Sequence, residues 1–392
     1  MSFATDRLRE EISEIIFLDH HCHAPLRLDG PLDPRTLRAT FTESTDPQVQ
    51  QDDVTGTSGY RTMIRWLAGL LGSDPTEAAV LTSRATYDVT DYYRLLADDA
   101  RLGPCFNDYL FQHESCYSSA EWSDLIGRPV HELLRIETLA EQLAGEHLNW
   151  EAFRQAFGQA LAASISRGGC GFKSIAAYRG GLQVEPVDAA TASATFDHYR
   201  SEIDQAGGER VRLAHKPLID ALIWETLEVA AELRLPLQFH VALGDDDVYL
   251  PTSNPVLLRA IFREPRYRQV PIVMLHCYPF VREAAYLTSI YPNAYIDLGL
   301  TVPLAGSNCA ALIAEALGVA PLHKILASSD GHAVPEFQWF AVRLWRAALT
   351  EVLANNVERY MMTDREAIEA AAMILHANSE RIYPGLATGN RT

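Results

Sequence analysis

The sequence has few positive charges for its number of negative ones. Its 392 residues include 33 lysines and arginines against 51 aspartates and glutamates, so the formal net charge is −18. Because an acidic surface repels phosphate backbones and anionic lipid headgroups, we expect neither nucleic acids nor membranes as partners. A small-molecule substrate and further copies of the chain, in a homo-oligomer, are the expected partners.

Long apolar runs and paired cysteines are also missing. No uninterrupted apolar stretch is long enough to cross a bilayer, and the charged first segment, MSFATDRLREEISEIIF, lacks the apolar region of a signal peptide. The cysteines, at positions 22, 105, 116, 170, 277 and 309, include no CxxC pair, which is typical of reduced thiols. The sequence therefore predicts a cytoplasmic location.

Four short apolar runs each end in residues that can bind a metal ion. They are IIFLDHHCH, with His21 and His23, LPLQFH, ending at His240, PIVMLH, ending at His276, and KILASSD, ending at Asp330. Helix-like segments such as 217–234 and 280–291 separate the later runs, and strands that are apolar throughout are typical of a parallel sheet covered by helices. This alternation predicts an α/β fold, the (β/α)8 TIM barrel, in which functional residues follow the strands.

We expect a single barrel domain over residues 1–392. Residues 40–102 interrupt the alternation after the first strand; they are polar, rich in aromatic side chains and mostly helical in pattern. They predict a helical insertion that acts as a lid or as an oligomer contact. Candidates for the second, third and fourth strands are 105–113, 130–137 and 168–181, and a helical region is expected from 337 to about 381.

The end of the first strand is rich in histidine. Alternate side chains of a strand point the same way, so Asp19, His21 and His23 share one face. Two histidines spaced by one residue can bind one metal ion, and a carboxylate completes a mixed nitrogen and oxygen site. A polar rim is an equally good interpretation of this pair alone, but in a barrel the ligand-type residues of four strand ends would converge on one mouth. These residues are His21, His23, His240, His276 and Asp330.

The ordered set resembles the amidohydrolase superfamily. That superfamily has Asp-x-His-x-His after strand one, Lys after strand four, His after strands five and six, and Asp after strand eight. The matching residues here are Asp19, His21, His23, Lys173, His240, His276 and Asp330. GFKSIAAYRGGL, HCYPFVREAAYLTSIYPNAYIDLGL and SSDGHAVPEFQWFA further resemble the amidohydrolase part of nodulin/glutamine-synthetase-like proteins and bacterial hydrolases of γ-glutamyl amides.

The resemblance implies a metal-dependent hydrolase that cleaves a C–N amide bond. One or two divalent ions are expected, Zn first and Mn, Fe or Ni as alternatives, with ligands from His21, His23, Lys173, His240, His276 and Asp330. Lys173 is either a carbamate that bridges two ions or an ordinary lysine that binds a substrate carboxylate, and in the second case a single ion is held by His21, His23, His240 and Asp330. The metal would activate a water molecule and polarise the carbonyl group, and Asp330 would act as general base. His276 would bind a second ion or stabilise the oxyanion.

Substrate contacts are predicted on three loops. The guanidinium of Arg179 suits a substrate carboxylate, as in a γ-glutamyl amide, although a surface salt bridge is the alternative. Tyr278 and His332 are further candidates, and His332 could instead cap the following helix. A decarboxylase and a sugar-acid isomerase on the same barrel remain alternatives. The histidines at 113, 131, 147, 198, 215 and 323 have no predicted function.

Overall fold

The structure, a computed structural model, describes residues 3–28, 30–110, 114–207 and 209–383. Within these residues, eight parallel strands form one sheet in the order β1 to β8, and this confirms the predicted (β/α)8 barrel. The strands are β1 Phe17–Cys22, β2 Leu102–Asp108, β3 Val130–Arg135, β4 Gly169–Ser174, β5 Leu237–Val241, β6 Ile272–His276, β7 Ala294–Asp297 and β8 Ile325–Leu326.

Helices follow or precede each strand in the chain. The α-helices are α1 Phe3–Ser13, α2 Pro34–Ala39, α3 Ser58–Leu71, α4 Glu77–Arg84, α5 Val89–Asp99, α6 Ser119–Ile126, α7 Ile136–Ala144, α8 Trp150–Ser166, α9 Ala189–Gln205, α10 Lys216–Leu233, α11 Arg259–Arg263, α12 Val281–Ile290, α13 Thr301–Ala305, α14 Cys309–Leu317, α15 Pro335–Glu358, α16 Asp364–Ala372 and α17 Asn378–Ile382. Short 3-10 segments are Val54–Gly56, Ala176–Tyr178, Leu250–Thr252, Pro255–Leu258, Pro265–Tyr267, Gly306–Asn308 and Leu322–Lys324, and π-helical turns are Val49–Asp53 and Met373–Ala377.

Strands β5 to β7 are mostly apolar and buried, whereas β3 is only partly buried. Every residue of β5, β6 and β7 is buried, as expected for a parallel sheet with helices over it. The observed strands are shorter than the predicted ones. β8 ends at Leu326, so Asp330 lies in the loop that follows, and β2 ends at Asp108, while 111–113 of its predicted range lies outside the described residues. The ligand-type residues thus lie at strand ends or just beyond them.

The contacts of the chain divide it into two compact units. Among the described residues, the flanking unit holds those up to His131, Gly244–Asp246 and Asp297–Arg381, and the central unit holds Glu132–Leu243, Asp247–Ile296, Ile382 and Tyr383. In the flanking unit, α3 packs tightly on the α13 region, because a Cβ atom at Gly59 would lie 2.5 Å from the carbonyl oxygen of Pro303. Helices α3 to α5 occupy much of 40–102, and a role there as lid or oligomer contact stays a prediction.

Among the described residues, no helix combines the length and the apolar character that a membrane span requires.

Candidate metal centre

His21 and His23 meet Asp330 in the flanking unit, where β1 ends and the loop after β8 begins. The Nε2 atoms of His21 and His23 lie 3.0 and 3.2 Å from the same atom, Oδ1 of Asp330. The two imidazole rings are edge to face, with centroids 5.1 Å apart. His21 and Asp330 are buried and His23 is half-buried. Three of the predicted ligands therefore come together as one compact group.

This group has the chemistry of a divalent metal site. One ligand atom from each of the three side chains can be chosen so that all lie within 4.8 Å of one another. Two imidazole nitrogens and a carboxylate oxygen are a donor set that suits Zn, Mn, Fe or Ni. A buried carboxylate next to two imidazoles also needs a cation or a proton to offset the cost of burying its charge. The residues present thus fit the metal that the resemblance implied.

Asp19 holds the loop that carries Asp330. Its carboxylate accepts hydrogen bonds from the Ser329 backbone nitrogen at 2.8 Å, from the Ser329 hydroxyl and from the Gln338 amide at 2.8 Å. Burial raises the pKa of Asp19, and the bonds from Ser329 and Gln338 oppose that shift. Although Asp19 belongs to the sequence pattern, its bonds show a positioning side chain rather than a member of the three-residue group.

Backbone conformations at the strand ends are strained. Of the eight non-glycine residues with positive φ in the described part of the chain, five lie at or just after the ends of β5, β6 and β8: Ala242, His276, Cys277, Asp330 and Ala333. Each such residue costs about 1–3 kcal/mol and persists only where the surrounding structure enforces it. Asp330 has φ 50° and His276 has φ 68°. Strain is therefore concentrated at the loops that carry the candidate ligands.

The central unit supplies a second group of candidates. Lys173 in β4, His240 in β5 and His276 in β6 are all buried. The rings of His240 and His276 have centroids 4.7 Å apart, and the ring of Tyr178 lies 4.4 Å from that of His240. Tyr178 was not a candidate in the sequence, where its only signal is its position five residues after Lys173. The unit thus brings His240 and His276 together and adds an aromatic wall.

Arg179 donates hydrogen bonds to other residues of the central unit. Its Nη1 atom donates to Glu141 Oε1 at 3.0 Å and to the Leu213 carbonyl oxygen at 3.1 Å. The alternative to substrate binding was a surface salt bridge, but this pair is buried, with side chains 9% and 1% exposed. Burial lowers the pKa of Arg179, and the charge of Glu141 opposes that effect. Sequence reasoning missed Glu141, which no local motif marks.

The remaining predicted substrate residues differ in exposure. The Tyr278 side chain is solvent-exposed, and its carbonyl oxygen accepts a bond from the Leu243 backbone nitrogen at 2.9 Å. Nδ1 of His332 lies 2.9 Å from the carbonyl oxygen of Asp330, and its ring packs on Phe337. The suggestion that His332 caps the next helix is wrong, because α15 has Val334 at its N-cap. A substrate contact stays a prediction for both residues.

Glu43 is a further carboxyl group whose charge interacts with Asp330. Burial, together with the negative charges of Asp330 and Asp245, raises the pKa of Glu43 to about 8. A group shifted in this way is protonated at neutral pH, and strongly shifted groups concentrate at functional sites. No local motif indicates Glu43, because its pKa shift depends on residues 202 and 287 positions later in the chain.

The chain is similar to one curated protein and to several solved structures. Protein fluG of Emericella nidulans is 37% identical over 242 residues, which is 60% of this chain but only 28% of that protein. A presumed metal-dependent hydrolase from Lactobacillus casei ATCC 334 superposes with a TM-score of 0.87 at 29% identity, over 96% of this chain and 97% of the other. Uronate isomerase from Thermotoga maritima superposes with a TM-score of 0.69 at 14% identity, over 98% of both chains, and this similarity shows the fold alone.

A family comparison identifies the chain more directly. The family model of the amidohydrolases matches residues 178–385, just over half of the sequence. That range includes His240, His276 and Asp330, which the superfamily pattern had already singled out. The protein therefore belongs to the amidohydrolase family.

Proposed function

We propose that this protein is a metal-dependent hydrolase that cleaves the C–N amide bond of a small, carboxylate-bearing substrate. The observation that carries the proposal is the approach of two imidazole nitrogens, from His21 and His23, to one oxygen of Asp330. A protein that only serves as a structural scaffold has no need of such a group. The group's two imidazole nitrogens and one carboxylate oxygen match the donor set of hydrolytic metal sites. Family membership and the similarity to the Lactobacillus casei protein support a hydrolase.

The proposed ligands come from several strands, as the functional residues of (β/α)8 barrels do. His21, His23 and Asp330 hold the first ion, which we expect to be Zn, with Mn, Fe or Ni as alternatives. Lys173, His240 and His276 are the proposed ligands on the later strands, and a second ion requires a carbamate on Lys173. With Lys173 as an ordinary ammonium group, one ion is expected.

In the proposed reaction, Asp330 and His276 have separate roles beside the metal ion. A bound divalent ion would lower the pKa of a water molecule and polarise the substrate carbonyl group. Asp330 takes the proton of the attacking water on its carboxylate and passes it to the nitrogen of the leaving amine. His276 donates a hydrogen bond to the carbonyl oxygen as negative charge develops there, unless it binds a second ion.

The substrate class rests on local sequence and on Arg179. The segments around Lys173 and Asp330 resemble hydrolases of γ-glutamyl amides, which makes such amides the first candidates. An acidic protein that binds an anionic substrate needs a local cation, and Arg179 follows β4, which carries Lys173. Because Nη1 is already bound to Glu141 and Leu213, a substrate carboxylate would use other nitrogens of the guanidinium.

A substrate panel with metal analysis tests this proposal. Purified protein is supplied with γ-glutamyl, β-aspartyl and uncharged amides, with hexuronates and with aromatic carboxylates. We expect amine release from γ-glutamyl amides and a metal content that falls sharply in the His21→Ala/His23→Ala variant. Decarboxylation or ketose formation without amine release would instead identify the lyase or isomerase alternatives. Equal metal content in wild type and variant would overturn the assignment of these two ligands.

A further inference from the structure

A second cluster of metal-type ligands lies on the helices of the central unit. The residues are His198 and Glu202 of α9 and His215, which precedes α10. Nε2 of His215 is 2.8 Å from Oε2 of Glu202, and Nε2 of His198 is 3.4 Å from Oε1 of the same carboxylate. The two imidazole rings are edge to face, with centroids 5.3 Å apart.

The geometry of the cluster follows from the helices. His198 and Glu202 are four residues apart on α9, so their side chains lie on the same face, one turn from each other. His215 is at the N-cap position of α10 but makes no capping hydrogen bond with its side chain. The Nε2 atom of His215 instead contacts the carboxylate of Glu202, and its ring packs against the ring of Tyr199, with centroids 5.5 Å apart.

We infer that His198, Glu202 and His215 form a second divalent metal site, which clamps the loop 209–215 onto α9. One ligand atom from each side chain can be chosen so that all three lie within 4.8 Å of one another, and small side-chain rotations bring them to one ion. Two imidazoles and one carboxylate favour Zn, Ni or Cu over Mg or Ca. Three protein ligands leave a coordination position for water.

The exposure of the cluster indicates an exchangeable ion. The side chains of His198, Glu202 and His215 are 68%, 36% and 22% exposed, so an ion reaches them directly from solvent. This differs from the His21, His23 and Asp330 group, which is largely buried. The second site would therefore fill and empty with the metal concentration of the solution.

The clamped loop is connected to the residues around β4. In loop 209–215, Arg212 donates to the Tyr178 carbonyl oxygen at 2.8 Å, and the Leu213 carbonyl oxygen accepts from Arg179. Tyr178 in turn packs on His240. A metal that fixes His215 would thus restrict the loop that holds Tyr178 and Arg179 in place.

Zinc titration calorimetry on chelator-treated protein tests the site. The titration is made in the His21→Ala/His23→Ala background, so that heat from that group does not mask the weaker site. Adding His198→Ala should raise the dissociation constant at least about 10-fold, because even the loss of a group outside the ligand shell costs 10- to 100-fold in metal affinity. His198 is replaced first because its side chain is 68% exposed, so the variant should fold as the parent protein does, and circular dichroism checks this.

Matched controls and a second readout complete the test. His147→Ala removes a histidine that packs on Phe153, and it should leave the zinc titration unchanged. Zinc should slow amide hydrogen exchange in 209–215 in the protein that retains His198 and should not in the His198→Ala variant. Equal zinc affinity with and without His198 would overturn the site, and binding without slower exchange would overturn the clamp.

Discussion

The two units hold their candidate residues in different ways. In the flanking unit, one buried carboxylate, Asp19, accepts bonds from the neutral groups of Ser329 and Gln338 and so fixes the loop of Asp330. In the central unit, Glu141 accepts from two guanidinium groups, those of Arg179 and Arg210. Neutral donors position a ligand without adding charge near the metal, whereas the ion pairs of the central unit bring charge with them. The flanking unit therefore holds the proposed catalytic residue Asp330, and the central unit holds Arg179, the proposed contact of the substrate carboxylate.

The largest effect should come from Asp330 in the flanking unit. Asp330→Asn keeps the size of the side chain but removes the general base, which typically contributes about 100- to 10,000-fold in rate. We expect kcat to fall by that factor in protein that is still folded and loaded with metal. Steady-state kinetics and metal analysis on the same preparation measure both quantities.

The matched control for Asp330 is Asp246→Asn, which changes an exposed carboxylate of the same unit. It should retain the wild-type kcat. A nearly normal kcat for Asp330→Asn at full metal occupancy would contradict the general-base role and would move the proton transfer to another residue.

A smaller effect should separate the two arginines that share Glu141. Arg179 is buried, whereas the side chain of Arg210 is 53% exposed. If Arg179 binds a substrate carboxylate, Arg179→Ala should lower kcat/KM for anionic amides by roughly 10- to 150-fold, since a hydrogen bond to a charged group is worth about 1.5–3 kcal/mol. Arg210→Ala should leave kcat/KM unchanged.

Thermal unfolding of the same two variants distinguishes substrate binding from stability. Either substitution removes one guanidinium partner of Glu141, but Arg179 is the less exposed of the two and also donates to the Leu213 carbonyl oxygen, so Arg179→Ala should melt at a lower temperature than Arg210→Ala. A loss of stability without any dependence on substrate charge would show that Arg179 is a structural partner of Glu141 only.

The barrel and part of the candidate site are predictable from the sequence, whereas the partners of the site residues are not. Local patterns are enough for the barrel and for the His21, His23 and Asp330 group, because strand ends converge in a parallel barrel whatever the rest of the chain does. The partners that hold these residues are distant in sequence. Gln338 is 319 residues from Asp19, and Arg179 is 38 residues from Glu141. Nothing local marks such pairs, so the sequence suggested a substrate carboxylate or a surface salt bridge as the partner of Arg179 and assigned no function to His198 and His215.

Glu43, in the flanking unit, should make the stability of the protein depend on pH. Its pKa in the folded, metal-free protein is about 8, against about 4.3 in an unfolded chain. Because the folded state binds more protons between these values, the free energy of unfolding should fall as pH rises from about 4.3 to 8. Glu43→Gln should lack this decrease, so the melting temperatures of wild type and variant should diverge within that window and run parallel outside it.

Melting curves of chelator-treated protein at several pH values measure the effect of Glu43. Glu146→Gln, which changes an exposed carboxylate of the central unit, should follow wild type throughout. A cation bound at Asp330 offsets the negative charge that raises the pKa of Glu43, so zinc should shrink the difference between wild type and Glu43→Gln. If the difference in melting temperature between wild type and Glu43→Gln is the same with and without zinc, the ion binds too far from Asp330 to influence Glu43. That result would contradict the assignment of His21, His23 and Asp330 as the metal site.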